Sequence, residues 1–593
     1  MFEFEFIYSA IIIVVMTFVL IKEIIEPDIT IFSALILMVV GRVISVDEAL
    51  VGFSNKGMLT VGFLFIVAEA LRQTGIVNKI GSSLLGNNKK SISSKLLRLL
   101  FPVSALSAFF NNTPIVAMLI PSIQSWAKKN DYAASKFLIP LSYAAILGGT
   151  CTLIGTSTNL VIQGLMIENG IGGMSFFEIS KIGIPVTLVG IIIIAVLGHR
   201  ILPDRKEPLL ESGDKTREFV VELKVEANFQ HIKNTIEEAG LRHLKGLFLF
   251  QIERKKEKIA PVGPDEKIFL RDRLFFTGLP ETIIELQKTP GLTILKDTKF
   301  DLKNYDSDQL RTFEAVVAPS SPLIGTNVRE SNFRSRYNAV IIAIHRQGER
   351  IEKKIGDIVL RAGDTLLMLA TNDFLNRWYN SEDFYLISES ASVPSKPKWY
   401  SGFSLSILTL MILAMAFNII PIVIATSLAT VIFVLSKCVS REQATKTVKW
   451  NVLVIIASAF GIARALENSG IALFLADKLI FSVGPLGILG LLAGIYFITS
   501  FYTETITNNA AAALIFPIAV TTATQAGLDP RPFAIAVALA ASASFATPLG
   551  YQTNLMVYGP GGYKFKDFMK IGIPMNIIVG IVAIAMIYLF YFV

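Results

Sequence analysis

Residues 110–121 read FNNTPIVAMLIP and residues 507–517 read TNNAAAALIFP, and the fold turns on how these two stretches are related. Each sets adjacent amides and a hydroxyl into strongly apolar sequence. Without a gap, NNTPIVAMLIP (111–121) aligns with TNNAAAALIFP, matching the central Asn and the closing Pro. The likeness continues outward in the same order. AEALRQTGI (68–76) matches ARALENSGI (463–471), GTSTNLVI (155–162) matches GYQTNLMV (550–557), and KIGIP occurs at 181–185 and again at 570–574. Ordered landmarks at a nearly constant interval mark an internal duplication.

The chain has 593 residues, 52% of them hydrophobic and only 17% charged. Such a balance leaves too little charged surface for a soluble protein of this length and points to a polytopic α-helical membrane protein. Apolar runs near the ~20 residues that cross a bilayer recur in both end regions. The opening MFEFEFIYSAIIIVVMTFVLIK lacks a basic n-region and a small-residue cleavage site, so it reads as a retained first span. The net charge of +8 fits Lys and Arg in cytoplasmic loops and calls for no nucleic acid. Cys151 and Cys438 offer neither a disulfide framework nor metal-ligand spacing.

Four regions follow: a first transmembrane repeat (1–203), two charged modules (204–300 and 301–399) and a second transmembrane repeat (400–593). Lys79, Lys89, Lys90, Lys95, Lys128, Lys129 and Lys136 share one set of loops with Lys437, Arg441, Lys446, Lys449 and Lys564, which the positive-inside rule makes cytoplasmic. Basic residues flank Leu96–Trp126 on both sides, so that segment enters and leaves on one face as a re-entrant hairpin. Each half then holds five spans and one hairpin, about ten spans and two hairpins in all. An odd span number inverts the second half, with hairpin tips at Asn111–Thr113 and Thr507–Asn509. The expectation is a multi-pass protein of the cell inner (plasma) membrane, with termini outside and the central modules cytoplasmic. Inverted repeats with broken helices meeting near the midplane are the architecture of secondary transporters.

Non-helical backbone survives at membrane depth only where protein or a water-filled cavity satisfies it. Helix N-termini there suit an anion, while Asn offers amide donors to oxyanions and a carbonyl to a cation. Neither tip contains Lys or Arg, so a dianion needs bound Na⁺ to offset its charge. Carbonyls, amides and hydroxyls of the tips, of GTSTN (155–159) and of TPLGYQTN (547–554) are the candidate ligands.

The stretch ASASFATPLGYQTNLMV (541–557) closely resembles the signature of the divalent anion:sodium symporters, through Ser542, Phe545, Pro548, Gly550, Asn554 and Val557. FNNTPIVAMLIP is also similar to the wider ion-transporter superfamily that includes arsenite permeases. That symporter family carries Ser-Asn-Thr at each tip; here Asn111-Asn112-Thr113 and Thr507-Asn508-Asn509 keep the central Asn and depart at the flanks. The resemblance, over roughly two thirds of the chain, implies a homodimer in the lipid bilayer, whose transport unit moves like an elevator against a scaffold. It implies substrate contacts at Asn112, Thr113, Asn508, Asn509, Thr158 and Thr553. It implies one Na⁺ near Asn111, Asn112, Gly155, Thr156 and Asn159, and another near Thr503, Thr507, Asn508, Ala546, Thr547 and Asn554.

Glu504, just before the second tip, reads as a cation ligand, a proton carrier or a carboxylate buried against a helix end, the last favoured because the anion should avoid it. Glu69 with Arg72, and Arg464 with Glu467, have i,i+3 spacing and are expected to pair. Cys151 beside GGT reads as inert packing rather than an arsenite ligand. The central modules repeat as well: GLFLFQIERKKEK and FLRDRLFF align with NAVIIAIHRQGER and LRAGDTLLM, matching Arg254 to Arg346 and Asp272 to Asp364. They resemble the βαββ regulatory modules of potassium-transport regulators (TrkA C-terminal type), with copy one lacking the Gly before Asp272. Such modules pair, and some take a nucleotide-type ligand, for which Arg334, Arg336, His345 and Arg346 are candidates; the same residues also read as a solvated face.

The sequence reading is therefore a sodium-coupled carrier of a small divalent anion, with sulfate ahead of dicarboxylates, no enzyme and no cofactor beyond Na⁺ as coupling ion. A ligand-gated channel and a non-transporting sensor are the alternatives.

Overall fold

The computed structural model describes residues 4–22, 24–72, 91–205, 220–241, 247–278, 289–295, 310–371, 374–378, 383–387, 398–417 and 419–593, apart from isolated positions within 247–278 and 310–371. Lys79, Lys89, Lys90 and the side chain of Arg72 lie outside the described residues.

In the first repeat, α1 (Phe4–Lys22), α2 (Pro27–Val40), the short α3 (Val46–Leu50) and α4 (Lys56–Arg72) precede a helical hairpin, α5 (Ile92–Ser107) and α6 (Asn112–Lys129). Then come the half-helices α7 (Leu138–Gly149) and α8 (Ser157–Glu168), and α9 (Ser180–Ile193). The second repeat has the same order. It runs α10 (Lys398–Ala416), α11 (Ile422–Leu435), α12 (Arg441–Thr447), α13 (Trp450–Asn468) and α14 (Ile471–Val483). The hairpin α15 (Gly487–Thr503) and α16 (Asn508–Gln525) follows, then the half-helices α17 (Pro530–Ser542) and α18 (Gln552–Tyr558), and α19 (Phe565–Tyr591). Even the caps are duplicated: Ser45 with Glu48 opens α3 and Ser440 with Gln443 opens α12, each a reciprocal capping box.

Six described segments are long and apolar enough to cross a membrane by length and composition: Phe4–Lys22, Val46–Leu71, Ser180–Gly198, Trp450–Asn468, Ile471–Thr503 and Phe565–Tyr591. Along α1, Ile7, Ile11, Val14, Phe18 and Ile21 are all exposed. A stripe of that kind is not left open to water and belongs against lipid.

The two repeats interlock. α2 lies against α13, and reciprocally α11 lies against α4. α8 rests on α16 and α17, and reciprocally α18 rests on α6 and α7. One large core joins both hairpins, both broken helices, α9 and α19, while separate cores hold α1–α3 on α13 and α10–α11 on α4. The repeated KIGIP has a packing reason. A side chain on Gly183 would meet the Thr150 carbonyl oxygen at 2.3 Å, and one on Gly572 would meet that of Phe545 at 2.1 Å, so glycine lets α9 and α19 close on the two breaks.

Between the repeats lie two antiparallel sheets. The first comprises β1 (Val220–Val225), β2 (Leu247–Arg254), β3 (Glu257–Ile259), β4 (Arg273–Gly278) and β5 (Leu292–Ile294), in the order β3-β2-β4-β1-β5. The second comprises β6 (Leu310–Val317), β7 (Ala339–Arg346), β8 (Glu349–Arg350), β9 (Thr365–Thr371) and β10 (Phe384–Ile387), in the equivalent order β8-β7-β9-β6-β10. Matching register shifts fall between Leu249 and Gln251 and between Ile341 and Ala343. Each sheet has five strands where the aligned motif accounts for fewer, because the outer strands lie outside the matched stretches.

Arg254 grips Asp272 through two bonds of 3.0 Å, and Arg346 grips Asp364 through two of 2.7 Å. These hydrogen bonds hold both guanidinium groups above their ordinary pKa. Arg346 is thus a structural residue of its module, and Arg336 stands 3.6 Å from Asp383 and over the Tyr337 ring. His345 is buried within β7 and Arg334 is half-buried. The four do not form one exposed basic face.

Candidate functional site

The α5–α6 tip begins where Ser107 ends α5 and Asn112 opens α6. Ser107 Oγ lies within hydrogen-bond reach of Asn112 Oδ1 and, at 2.8 Å, of the Ala145 carbonyl on α7. In the second repeat Thr503 Oγ1 stands 3.1 Å from Asn508 Oδ1 and 2.7 Å from the Ala541 carbonyl on α17. The same interval along the chain separates all three pairs. Further in, Thr152 Oγ1 donates to the Ala108 carbonyl of the first tip, and Thr547 Oγ1 donates at 3.2 Å to the Glu504 carbonyl of the second. Asn159 Nδ2 ties back to the Gly149 and Thr152 carbonyls, and Asn554 Nδ2 to those of Ser544 and Thr547. Each centre thus consists of a hydroxyl, a tip Asn and a break whose carbonyls are gathered by a second Asn. This explains how unwound backbone is held at this depth.

These centres suit a small cation. Asn159 Oδ1, fully buried, has no hydrogen-bond partner, and neither has the buried Ser544 Oγ at the corresponding break. A lone buried acceptor costs free energy unless something positive meets it. A methyl group on Gly149 would stand 3.0 Å from Asn112 Oδ1 and 3.2 Å from the Gly155 carbonyl oxygen, two oxygens of the kind a hard cation takes, with the Asn112 amide nitrogen also at 3.0 Å.

The tips also reach across to the opposite repeat. Asn112 Nδ2 donates to Tyr551 Oη at 2.7 Å and Thr113 Oγ1 to Gln552 Oε1 at 3.1 Å. Reciprocally, Ser157 and Thr158 hydroxyls donate to Asn509 Oδ1 at 3.2 and 3.3 Å. Asn111 and Gly155–Ser157 line a small cavity of about 40 Å³, walled by Val61, Phe65, Phe109 and Phe110.

Of the remaining candidates, Thr156 stands 3.4 Å from Tyr551 Oη. Thr553 is buried with its hydroxyl on Ser142 rather than on either tip, and Ser142 also reaches Asn554 Oδ1. Thr507 is exposed as the N-cap of α16 and makes no side-chain cap bond. Ala546 contributes its N–H to Glu504. That carboxylate accepts from the Phe545, Ala546 and Thr547 N–H groups at 2.8–2.9 Å and from Asn576 Nδ2 at 2.7 Å. Cys151 is buried against Thr187. Arg464 pairs with Glu467 at 3.0 Å and with Glu48 at 3.4 Å.

Ser107, Ser142, Ser544 and Asn576 escaped the sequence reading, and Tyr551 and Gln552 entered it only as part of TPLGYQTN. Three of these left a signal. A hydroxyl precedes each tip Asn by five residues (Ser107, Thr503), and Tyr551-Gln552 replaces Thr156-Ser157 within the duplicated motif.

The family model described as Citrate transporter matches residues 12–538. The chain belongs to the citrate transporter family. It is similar to a Chlamydomonas reinhardtii protein named "Putative sulfur deprivation response regulator", at 34% identity over 96% of this chain and 99% of that one. It is 27% identical to Sodium/sulfate cotransporter 1 of the same organism, over 94% of this chain and 86% of the relative. A sodium-dependent dicarboxylate transporter of Staphylococcus saprophyticus is 29% identical over 25% of this chain. Membership makes the protein a multi-pass helical membrane protein of a transporter family, in keeping with its apolar helices.

Proposed function

We propose that this member of the family is a sodium-coupled secondary transporter of a divalent anion, with sulfate preferred. The observation that carries the reading is the pair of duplicated centres, each with a tip Asn and an unpartnered buried oxygen at its break. Two cations there offset a dianion held between the tips, where no tip residue is Lys or Arg. Relatives named as sodium/sulfate cotransporters support both ion and substrate. The core that unites hairpins and broken helices is the unit proposed to move as an elevator, with the outer helices as scaffold in a homodimer. The test is uptake of radiolabelled sulfate into proteoliposomes. Uptake should rise with an inward Na⁺ gradient and collapse without it; gradient-independent uptake would overturn the coupling.

The central modules are proposed to be cytoplasmic, with the second acting on transport directly. Gly363, at φ +82°, approaches α18 so closely that a side chain would meet Leu555 Cδ1 at 2.8 Å. Facing it, a side chain on Gly559 would meet Thr365 Oγ1 at 2.0 Å. In the first module the equivalent residue is Arg271, which also adopts positive φ, at 71°. The Gly is therefore required by docking onto α18, since the turn itself accommodates an arginine. Gly363→Val should lift the module from α18 and raise uptake by roughly 2- to 30-fold, the span of a 0.5–2 kcal/mol coupling. Unchanged uptake in a folded variant would show that the contact restrains nothing.

A further inference from the structure

We infer that Tyr551 and Gln552 set the size of the anion pocket, so that the site takes one compact oxyanion and leaves no room for the second carboxylate of a dicarboxylate. The inference rests on the proposed anion transport and names its substrate class. It starts from an asymmetry. At the first break, the residues before Thr158 and Asn159 are the small Thr156 and Ser157; at the second break, the residues before Thr553 and Asn554 are Tyr551 and Gln552. The tip Asn, the hydroxyl five residues before it and the break Asn are matched between the centres, yet here two small side chains are replaced by two long ones.

The consequence is visible in the geometry. Tyr551 comes from the second break, but its hydroxyl lies 2.7 Å from Asn112 Nδ2 on the first tip and 3.4 Å from Thr156 Oγ1 on the first break. One phenol thus spans from one repeat to two elements of the other. Gln552 does the same beside it, reaching Thr113. On the reciprocal side only the short hydroxyls of Ser157 and Thr158 meet Asn509. Two long side chains of the other repeat thus stand against the first tip, and two short hydroxyls against the second. An anion seated between the tips then meets the Tyr551 hydroxyl as a neutral donor, with Tyr551 and Gln552 taking up the room a longer anion needs. Specificity arises from the space denied to the larger competitor.

The test compares uptake of radiolabelled sulfate and succinate, with and without a Na⁺ gradient, in wild type, Tyr551→Phe and the double variant Tyr551→Thr with Gln552→Ser, which installs the first repeat's residues. Wild type should take up sulfate and largely exclude succinate. The double variant should shift the sulfate-to-succinate ratio toward succinate by at least about tenfold, the order expected when a pocket gains a few heavy atoms of room. Tyr551→Phe keeps the volume and should keep the preference while raising the KM for sulfate. Should the double variant transport neither anion, Na⁺-dependent thermal stabilisation by each anion gives the same ratio. An unchanged ratio in the double variant, by uptake or by stabilisation, overturns the inference, as does wild-type transport of succinate on a par with sulfate. Both outcomes leave sodium-coupled anion transport standing; wild-type transport of neither anion would instead remove that reading and this inference with it.

Discussion

Asn508→Ala and Asn112→Ala should each lower Na⁺-driven sulfate uptake by at least about 100-fold while leaving a folded protein in the membrane. Each Asn serves two partners in the proposed mechanism. Its carbonyl oxygen, now facing Ser107 or Thr503, turns to the cation, and its amide faces the anion. Interactions with charged groups contribute ~1.5–3 kcal/mol each, so losing both removes ~3–6 kcal/mol. At about 1.4 kcal/mol per factor of ten, affinity falls by roughly 10² to 10⁴. The cost to the fold is far smaller. Without ligands, the substitution removes one neutral hydroxyl–amide bond at the second tip and two at the first, where Asn112 also donates to Tyr551, each worth ~1 kcal/mol, and the carbonyls of Ala145 and Ala541 keep their hydroxyl partners. Radiolabelled uptake and size-exclusion profiles on the same preparations separate the two effects. Wild-type uptake by either variant would remove that tip from the site.

How far the sequence reached can be judged residue by residue. The duplication was legible because each repeat must build the same broken-helix geometry, which constrains the tip Asn, the break Asn and the KIGIP glycine alike. Arg464 with Glu467 was legible because helical spacing alone brings them together. Long-range partners were not. Nothing local ties Tyr551 to Asn112, or Ser142 to Thr553 and Asn554; those contacts arise only because the half-helices of one repeat rest on the tip and half-helix of the other. Arg346, one of four basic positions that read either as ligand contacts or as a solvated face, has a fork geometry that matches the buried Asp364, and its duplicate Arg254 does the same with Asp272. Thr507, which the resemblance places at the second Na⁺, is exposed at the start of α16.

Glu504→Gln should abolish Na⁺-dependent uptake and lower the thermal stability of the protein. The two repeats differ most in charge at this position, since the residue matching Glu504 in the first tip is Ala108. In the first break the N–H groups of Thr150 and Cys151 bond to the Leu147 and Gly148 carbonyls of α7. In the second, the N–H groups of Phe545, Ala546 and Thr547 all point at the Glu504 carboxylate, with Asn576 as a fourth donor. A carboxylate has two acceptor oxygens for these four donors. Glutamine keeps one, and its NH₂ would face the Thr547 N–H that now meets Oε2, leaving a donor opposed to a donor. Each buried donor left unsatisfied costs ~1–3 kcal/mol, and loss of the negative charge weakens the three bonds that remain. The carboxylate also stands close to the unpartnered Ser544 hydroxyl: a side chain on Gly550 would meet Ser544 Oγ at 2.0 Å and Glu504 Oε2 at 2.9 Å. A fixed negative charge there favours a cation at the second centre before any anion arrives. Na⁺ titration of thermal stability, without sulfate, distinguishes the two roles. If Glu504 contributes charge to the cation centre, Glu504→Gln loses Na⁺ stabilisation as well as baseline stability; if it only fastens the break, the baseline falls and the Na⁺ response persists.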